Sequence, residues 1–240
     1  MKKFIISIFL IIFLGGLVVG GKIAFDGYKL YEETMADVEI ENVVSEIRNR
    51  DTYVVIDDIP SHFLEAIIAV EDHRFMGHNG FDVISFGRAV IRNFKENEFA
   101  AGGSTITQQL SKNLFFSFEK KLERKVAELI VARQLEDMYK KDEILELYVN
   151  IIYYGDGFEN LYDASMGYYN KAPKDMTDAE GTLLAGLPQA PSTYAMIENF
   201  DRAVKRAFEV VDAMVEHKVI TENDGDLLKI EIENVQLAVD

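Results

Sequence analysis

The stretch from Leu122 to Asn150, LERKVAELIVARQLEDMYKKDEILELYVN, decides the fold class. Through Tyr139 it is a long amphipathic helix, because apolar and charged side chains recur three and four residues apart instead of alternating. A second helix is expected from Asp142 to Asn150. No convincing run of alternating strands appears elsewhere, no internal repeat is visible, and only four prolines interrupt 240 residues, so the expected fold is mainly α.

Outward from this core the pattern stays helical. Thr177 with Glu180 three residues on has capping-box spacing and opens a helix through Ala185, which Pro188 must end. The last forty residues read as two short acidic-faced helices. Toward the N-terminus, a loop around Asn97 to Gly103 precedes a helix from Ser104 to Phe115. Asp82 can cap a helix from Val83 to about Phe94, and Ser61 one reaching Glu71. Residues 23–59 are mixed and acidic, with a helical start at Tyr28, Leu30 and Tyr31 and an extended TYVVI around Tyr53 to Ile56; they read as a stalk or linker.

Phe4 to Gly21, FIISIFLIIFLGGLVVGG, carries no charge. At about 1.5 Å per residue it is roughly 27 Å long, which predicts a transmembrane helix. Lys2 and Lys3 place the N-terminus in the cytoplasm and the remainder outside. A cleaved signal peptide is the rival reading; the apolar run is longer than such a segment needs, and no A-x-A site follows, which favours a retained single-pass anchor. The expected organisation is therefore a cytoplasmic tip and anchor over 1–22, a stalk over 23–59 and a folded domain over 60–240.

With 25 Lys+Arg against 41 Asp+Glu, the chain carries a formal charge of −16. That argues against general nucleic-acid binding, which needs a cationic surface. The absence of cysteine excludes disulfides, thiol nucleophiles and thiolate metal sites.

Three clusters carry chemistry. In EDHRFMGHNGFD, Glu71 to Asp82, Glu71 ends an apolar helix, where the negative end of the helix dipole and apolar neighbours would both raise its pKa toward that of a general base. The same residues also describe a solvated ion-pair turn. His73 and His78 match no common metal-ligand spacing. In AGGSTITQQLSKN, Gly102 and Gly103 precede a helix N-terminus suited to a phosphate, and Thr105, Gln108, Gln109 and Lys112 share a polar sector. An ordinary glycine loop before a polar helix surface would look alike. In EKKLERKVAELIVARQLE, Lys120, Lys121, Arg124, Lys125 and Arg133 make a locally basic patch, and Arg124 and Glu128 form an i, i+4 pair.

Taken together, EDHRFMGHNGFD, GGSTITQQLSKNLF, RKVAELIVARQLE, KKDEILELYVNIIYYGDG and AEGTLLAGLPQAPSTY resemble, in order, the five motifs of the peptidoglycan glycosyltransferases of family 51, in its monofunctional membrane-anchored form. The resemblance covers Glu71 to Tyr194. It implies a lysozyme-like helical glycosyltransferase domain that polymerises lipid II into β-1,4-linked glycan strands, inverting the anomeric centre, releasing undecaprenyl pyrophosphate and responding to moenomycin. Position by position it implies that Glu71 is the catalytic base, supported by Asp72, Phe75, His78 and Gly80. Gly103, Ser104, Thr105, Gln108, Gln109, Lys112 and Asn113 would bind donor sugar and pyrophosphate. Arg124 with neighbouring Lys125 would add phosphate-binding cations, and Glu128 a second essential carboxylate that orients substrate or holds a divalent ion, Mg or Mn; no organic cofactor is implied. The implied partners are lipid II, the growing strand, the membrane, and transpeptidases and other wall-synthesis proteins.

The sequence departs from the family pattern where Lys140 replaces a helix-capping Ser, where FENLYDAS (Phe158 to Ser165) replaces a glycine-rich stretch, and after Tyr194, where an Asn-Pro is missing. Two alternatives stand beside the polymerase: a lysozyme-like enzyme that cleaves peptidoglycan, and a catalytically idle scaffold that binds lipid II.

Overall fold

The computed structural model describes residues 2–96, 103–116 and 121–238; within these, the side chains of 2–9, 11, 12 and 90–96 are outside the description. In chain order the helices are α1 (Lys2–Met35), α2 (Ile40–Arg48), α3 (Ser61–Glu71), α4 (Val83–Glu96), α5 (Ile106–Phe115), α6 (Leu122–Met138), α7 (Lys141–Val149), α8 (Leu161–Tyr169), α9 (Asp178–Gly186), α10 (Pro191–Tyr194), α11 (Met196–Glu216) and α12 (Glu222–Glu233). Among the described residues there is no strand, so the chain is mainly α.

The centre of the body is α9, whose residues from Ala179 to Gly186 are all buried. Buried nearly all round, it must be enclosed by its neighbours, and α3 and α11 pack against it. Gly181 makes the first approach possible, since a Cβ there would lie 3.2 Å from Phe63 Cβ. The second rests on Gly186, where a Cβ would fall 2.9 Å from Arg206 Cγ. Thr177 and Glu180 form the expected capping box. A second layer pairs α5 with α6 and α7, bringing the polar motifs to one side of the core.

Some boundaries differ from the sequence expectation. Ser61 is the first residue of α3, and Pro60, with φ −57° and ψ 130°, holds the cap position instead. Helix α5 begins two residues later than expected because Thr105 is its cap. The segment TYVVI pairs with no strand: the backbone N–H and C=O of Val54 are each satisfied at 2.8 Å by the Asn150 side chain. An amide side chain thus does the work a neighbouring strand would do. The C-terminal region holds two helices, as expected: α11, which kinks at Asn199 (φ −129°, ψ 38°) and is longer than the short helix expected there, and α12.

Residues 23–59 are integrated into the body. Ile40, Val44, Ile47, Val54 and Ile59 are buried in the core. Helix α1 lies against α6, with Gly27 at the crossing: a Cβ there would be 2.5 Å from Val126 Cβ. Tyr31 accepts a 2.9 Å hydrogen bond from Gln134. Among the described residues no helix is long and apolar enough to cross a membrane; most side chains in the first half of the span expected over Phe4–Gly21 lie outside the described residues, as do Gly102, Lys120 and the loop 97–102.

Candidate active site

Glu71 is the last residue of α3, and its partly buried carboxylate lines a cavity of about 530 Å³. Burial pushes its pKa above the usual carboxylate range, and the neighbouring Asp72 adds to this. Gln109, Arg206 and Lys112 act in the opposite direction without cancelling it. A base poised above its solution pKa is a better proton acceptor at neutral pH. Gln109 Nε2 donates to Glu71 Oε2 at 2.6 Å, tying the first motif to α5.

Asp72 and His73 line the same cavity as Glu71, and Asp72 also builds the turn. Asp72 is buried and accepts from His78 Nε2 at 2.9 Å and from the backbone N–H of Ile106 at 3.1 Å. Thr105 Oγ1 donates to the Gly80 carbonyl at 2.7 Å. These bonds clamp the first motif to the start of α5. Gly80 has φ +83°, and a Cβ there would press on the Ala132 carbonyl oxygen at 3.1 Å. Phe75 is fully enclosed, with the Lys141 ammonium 4.2 Å from its ring centre. Gln108, 1% exposed, turns inward; its Oε1 accepts from the Thr105 amide at 3.3 Å and completes the cap of α5. Asp82 caps α4: burial would raise its pKa, but bonds from Ser85 and the Ile84 amide, together with Arg74, bring it down to about 2.

The cationic group forms where α5 meets α6. Glu128 is 1% exposed, with Arg124 Nε 3.0 Å from Oε1 and Lys125 Nζ 3.1 Å from Oε2. Lys125 also donates to Ser104 Oγ at 2.6 Å. Ser111 Oγ donates to the Glu128 carbonyl at 3.1 Å, so helix packing fixes the carboxylate's position. Burial lowers the pKa of Lys112, opposed by Glu128 and reinforced by Arg124 and Lys125, while Glu71 raises it. Lys112 therefore feels both carboxylates at once.

A second cavity, of about 800 Å³, is lined by Gln109, Lys112 and Asn113 together with Tyr153, Gln189 and Arg50. Gly103, Ser104 and Thr105 line the smaller one with Glu71. The hydrogen bond between Glu71, on the smaller cavity, and Gln109, on the larger, thus joins the first two motifs across both cavities. Glu159, within the segment that departs from the family pattern, joins the wall of the larger cavity. In the same segment Phe158 seats on Gly167, where a Cβ would overlap its ring, and Asn160 caps α8. The exchange of Ser for Lys140 leaves half a capping box, because Glu143 still accepts from the Lys140 amide at 3.1 Å.

Three residues at this site, Arg88, Arg206 and His217, carry no signal in the sequence. Arg206 of α11 is buried, lines the smaller cavity, bonds the Gly186 carbonyl at 3.3 Å and pairs with Glu209 at 2.6 Å. His73 and His217 stack 4.0 Å apart at the same cavity, and Arg88 lies 3.0 Å from His73 Nε2. Burial, His217 and Arg88 push the His73 pKa down. Arg206 and His217 lie more than 130 positions beyond Glu71 in an unremarkable amphipathic helix, and nothing in their local sequence signals the cleft.

Penicillin-binding protein 1F of Bacillus subtilis is 41% identical over 217 residues, covering 90% of this chain and 30% of that protein. Penicillin-binding protein 1A of Vibrio cholerae is 42% identical over 176 residues, covering 73% and 21% respectively. The chain thus spans less than a third of the length of these relatives. Among solved structures, penicillin-binding protein 1A from Haemophilus influenzae aligns with a TM-score of 0.44 and 22% identity over 75% of this chain and 17% of that one. Residues 39–215 match the Transglycosylase family, and with this match spanning most of the helical core and all of the cavity lining except Glu216 and His217, the chain belongs to that family, the peptidoglycan glycosyltransferases of family 51.

Proposed function

We propose that this protein is a membrane-anchored peptidoglycan glycosyltransferase that joins lipid II units into β-1,4-linked glycan. The observation that carries the reading is that Glu71, a carboxylate with a raised pKa on one cavity, is hydrogen-bonded to Gln109, which lines a second cavity with Lys112, a cation within electrostatic reach of Glu71, Arg124 and Lys125.

In this mechanism the 4-hydroxyl of the incoming lipid II attacks the anomeric carbon of the growing strand, and Glu71 takes the hydroxyl proton as the new C–O bond forms. The bond to the undecaprenyl pyrophosphate oxygen breaks with its electrons going to the leaving group, and direct displacement inverts the centre. Lys112, Arg124 and Lys125 offset the charge that develops on the pyrophosphate. No covalent sugar intermediate is needed, because the acceptor attacks directly.

The divalent ion implied by the family resemblance does not fit the protein's own donors. Glu128, the carboxylate nearest the cations, already has a cationic nitrogen within 3.1 Å of each oxygen. Among the described residues no group of three or more His, Asp or Glu side chains converges on a metal position. We assign Glu128 to holding Arg124 and Lys125 in place, and derive no step through a metal.

The uncharged run Phe4–Gly21 supports a single-pass anchor that leaves the catalytic body outside the membrane. Transpeptidases and other wall-synthesis proteins are the protein partners that the family resemblance suggests. A cleaving enzyme would have no use for the cation group, and a scaffold would have none for a base with a raised pKa. The deciding experiment gives the purified protein lipid II with and without moenomycin. Glycan strands lost on moenomycin addition and with Glu71→Gln support the polymerase. Cleavage of preformed glycan, or lipid II binding without turnover, would replace it with one of the two alternatives.

A further inference from the structure

We infer that Tyr148 is a positioning residue for the reaction, acting on Glu71 through the side-chain amide of Gln109. The inference rests on the assignment of Glu71 as base and gives a task to the KKDEILELYVN motif, whose residues otherwise take no part in the chemistry.

Tyr148 is fully buried in α7, and its hydroxyl donates to Gln109 Oε1 at 3.2 Å. The other end of the same amide, Nε2, donates to Glu71 Oε2 at 2.6 Å. Three side chains from three helices thus form one line, Tyr148 to Gln109 to Glu71, with every donor and acceptor assigned by chemistry. A carboxylate can only accept, so the amide must turn its NH₂ toward Glu71 and its oxygen toward the tyrosine. That oxygen requires a donor. Burial keeps the Tyr148 phenol protonated well above its ordinary range, so it supplies one throughout the working pH range.

The anchor is rigid. Ile144, Leu145, Leu147, Tyr148 and Val149 are all buried, so α7 has little freedom to move the hydroxyl. Gln109 by itself has three side-chain torsions and could face its oxygen to Glu71, which would repel the carboxylate. With Tyr148 holding the oxygen, the amide presents its donor, favours the ionised base and fixes the direction of Oε2. Without that hydroxyl the partly buried amide oxygen loses its tyrosine donor, the amide is free to rotate, and Glu71 ionises only at higher pH.

The test is the pH dependence of kcat/KM for lipid II polymerisation, measured on the full-length, detergent-solubilised protein. The variants are Tyr148→Phe, Gln109→Leu and the double variant, with melting temperatures in parallel. The expected result is an acidic limb moved upward by at least half a pH unit in Tyr148→Phe, with kcat falling more than KM changes. Gln109→Leu should move the limb the same way, and the double variant no further than Gln109→Leu alone. A limb that stays at the wild-type pH in Tyr148→Phe, or shifts that simply add in the double variant, would overturn the proposal. Should Tyr148→Phe not fold, 3-fluorotyrosine at position 148, a stronger donor, should lower the limb; an unmoved limb refutes the relay equally. Full activity in Glu71→Gln would instead bring down the underlying assignment of the base, whereas an unmoved limb alongside an inactive Glu71→Gln brings down the tyrosine's role alone.

Discussion

Replacing Glu128 by Gln removes the one negative charge held between Arg124 and Lys125. Breaking a buried ion pair from one side typically costs about 3–5 kcal/mol, because the remaining charge stays in a poorly solvated site. Glu128 is 1% exposed and the Arg124 side chain 16%, which places that pair in this range; Lys125, at 37%, can turn toward water and Ser104 and so relaxes part of the strain. The expected loss is therefore about 3 kcal/mol. At roughly 2–4 °C per kcal/mol for a protein of this size, the melting temperature should fall by about 6–12 °C. The same change leaves two cations facing a neutral group, so an added anion should take the place of the carboxylate. Inorganic pyrophosphate at a hundred times its dissociation constant would return about 2.7 kcal/mol. Calorimetric melts of wild type and Glu128→Gln, each with and without pyrophosphate, measure both effects. A fall of less than about 2 °C, or pyrophosphate raising both proteins equally, would refute the assignment of Glu128 as the counter-charge that holds the cradle.

The raised pKa of Glu71 means that the folded protein holds this proton to higher pH than the unfolded chain, so its burial as a carboxylate lowers stability above that pKa. Glu71→Gln should accordingly melt no lower than wild type at pH 7, with any gain shrinking as pH falls toward the ordinary value of 4.5; a variant clearly less stable at neutral pH contradicts the sign. Gly80→Ala puts a side chain at φ +83° against the Ala132 carbonyl, and denaturant titration should find it about 1–3 kcal/mol less stable. Gly27→Val forces α1 away from α6, where even a Cβ lies 2.5 Å from Val126 Cβ; limited proteolysis should cut faster between Lys22 and Met35, and an unchanged cleavage rate would remove α1 from its place on α6.

The sequence carried the helices well where local chemistry sets them. Thr177 with Glu180 and Asp82 before Val83 satisfy backbone groups within a few residues, so their caps are written in adjacent letters. It failed where the partner is distant. Nothing near Val54 announces that Asn150, almost a hundred positions away, will accept its N–H and donate to its carbonyl, and alternation there therefore looked like a strand. The candidate site divides the same way. Residue types and order brought Glu71, Gln109, Lys112 and Glu128 forward, but not that Gln108 would point inward while Gln109 reaches Glu71, because one position along a helix turns a side chain by about 100°. Arg206 enters only through tertiary packing, in a space kept open by a glycine twenty positions earlier.

The continuity of α1 has a geometric consequence. With Phe4–Gly21 in the bilayer, as proposed, Gly27 and its contact with α6 lie six positions beyond the end of the apolar run. As a helix these span about 9 Å, whereas a flexible linker of the same length would let its ends wander over roughly 13 Å. Helix α6 carries Arg124, Lys125 and Glu128, so the height of the cation group above the lipid is set by a screw and not by a leash. One residue inserted between Gly21 and Gly27 would advance the body by about 1.5 Å and turn it by about 100°. Phase, more than distance, then decides whether the cleft still faces the headgroup of a lipid-linked substrate.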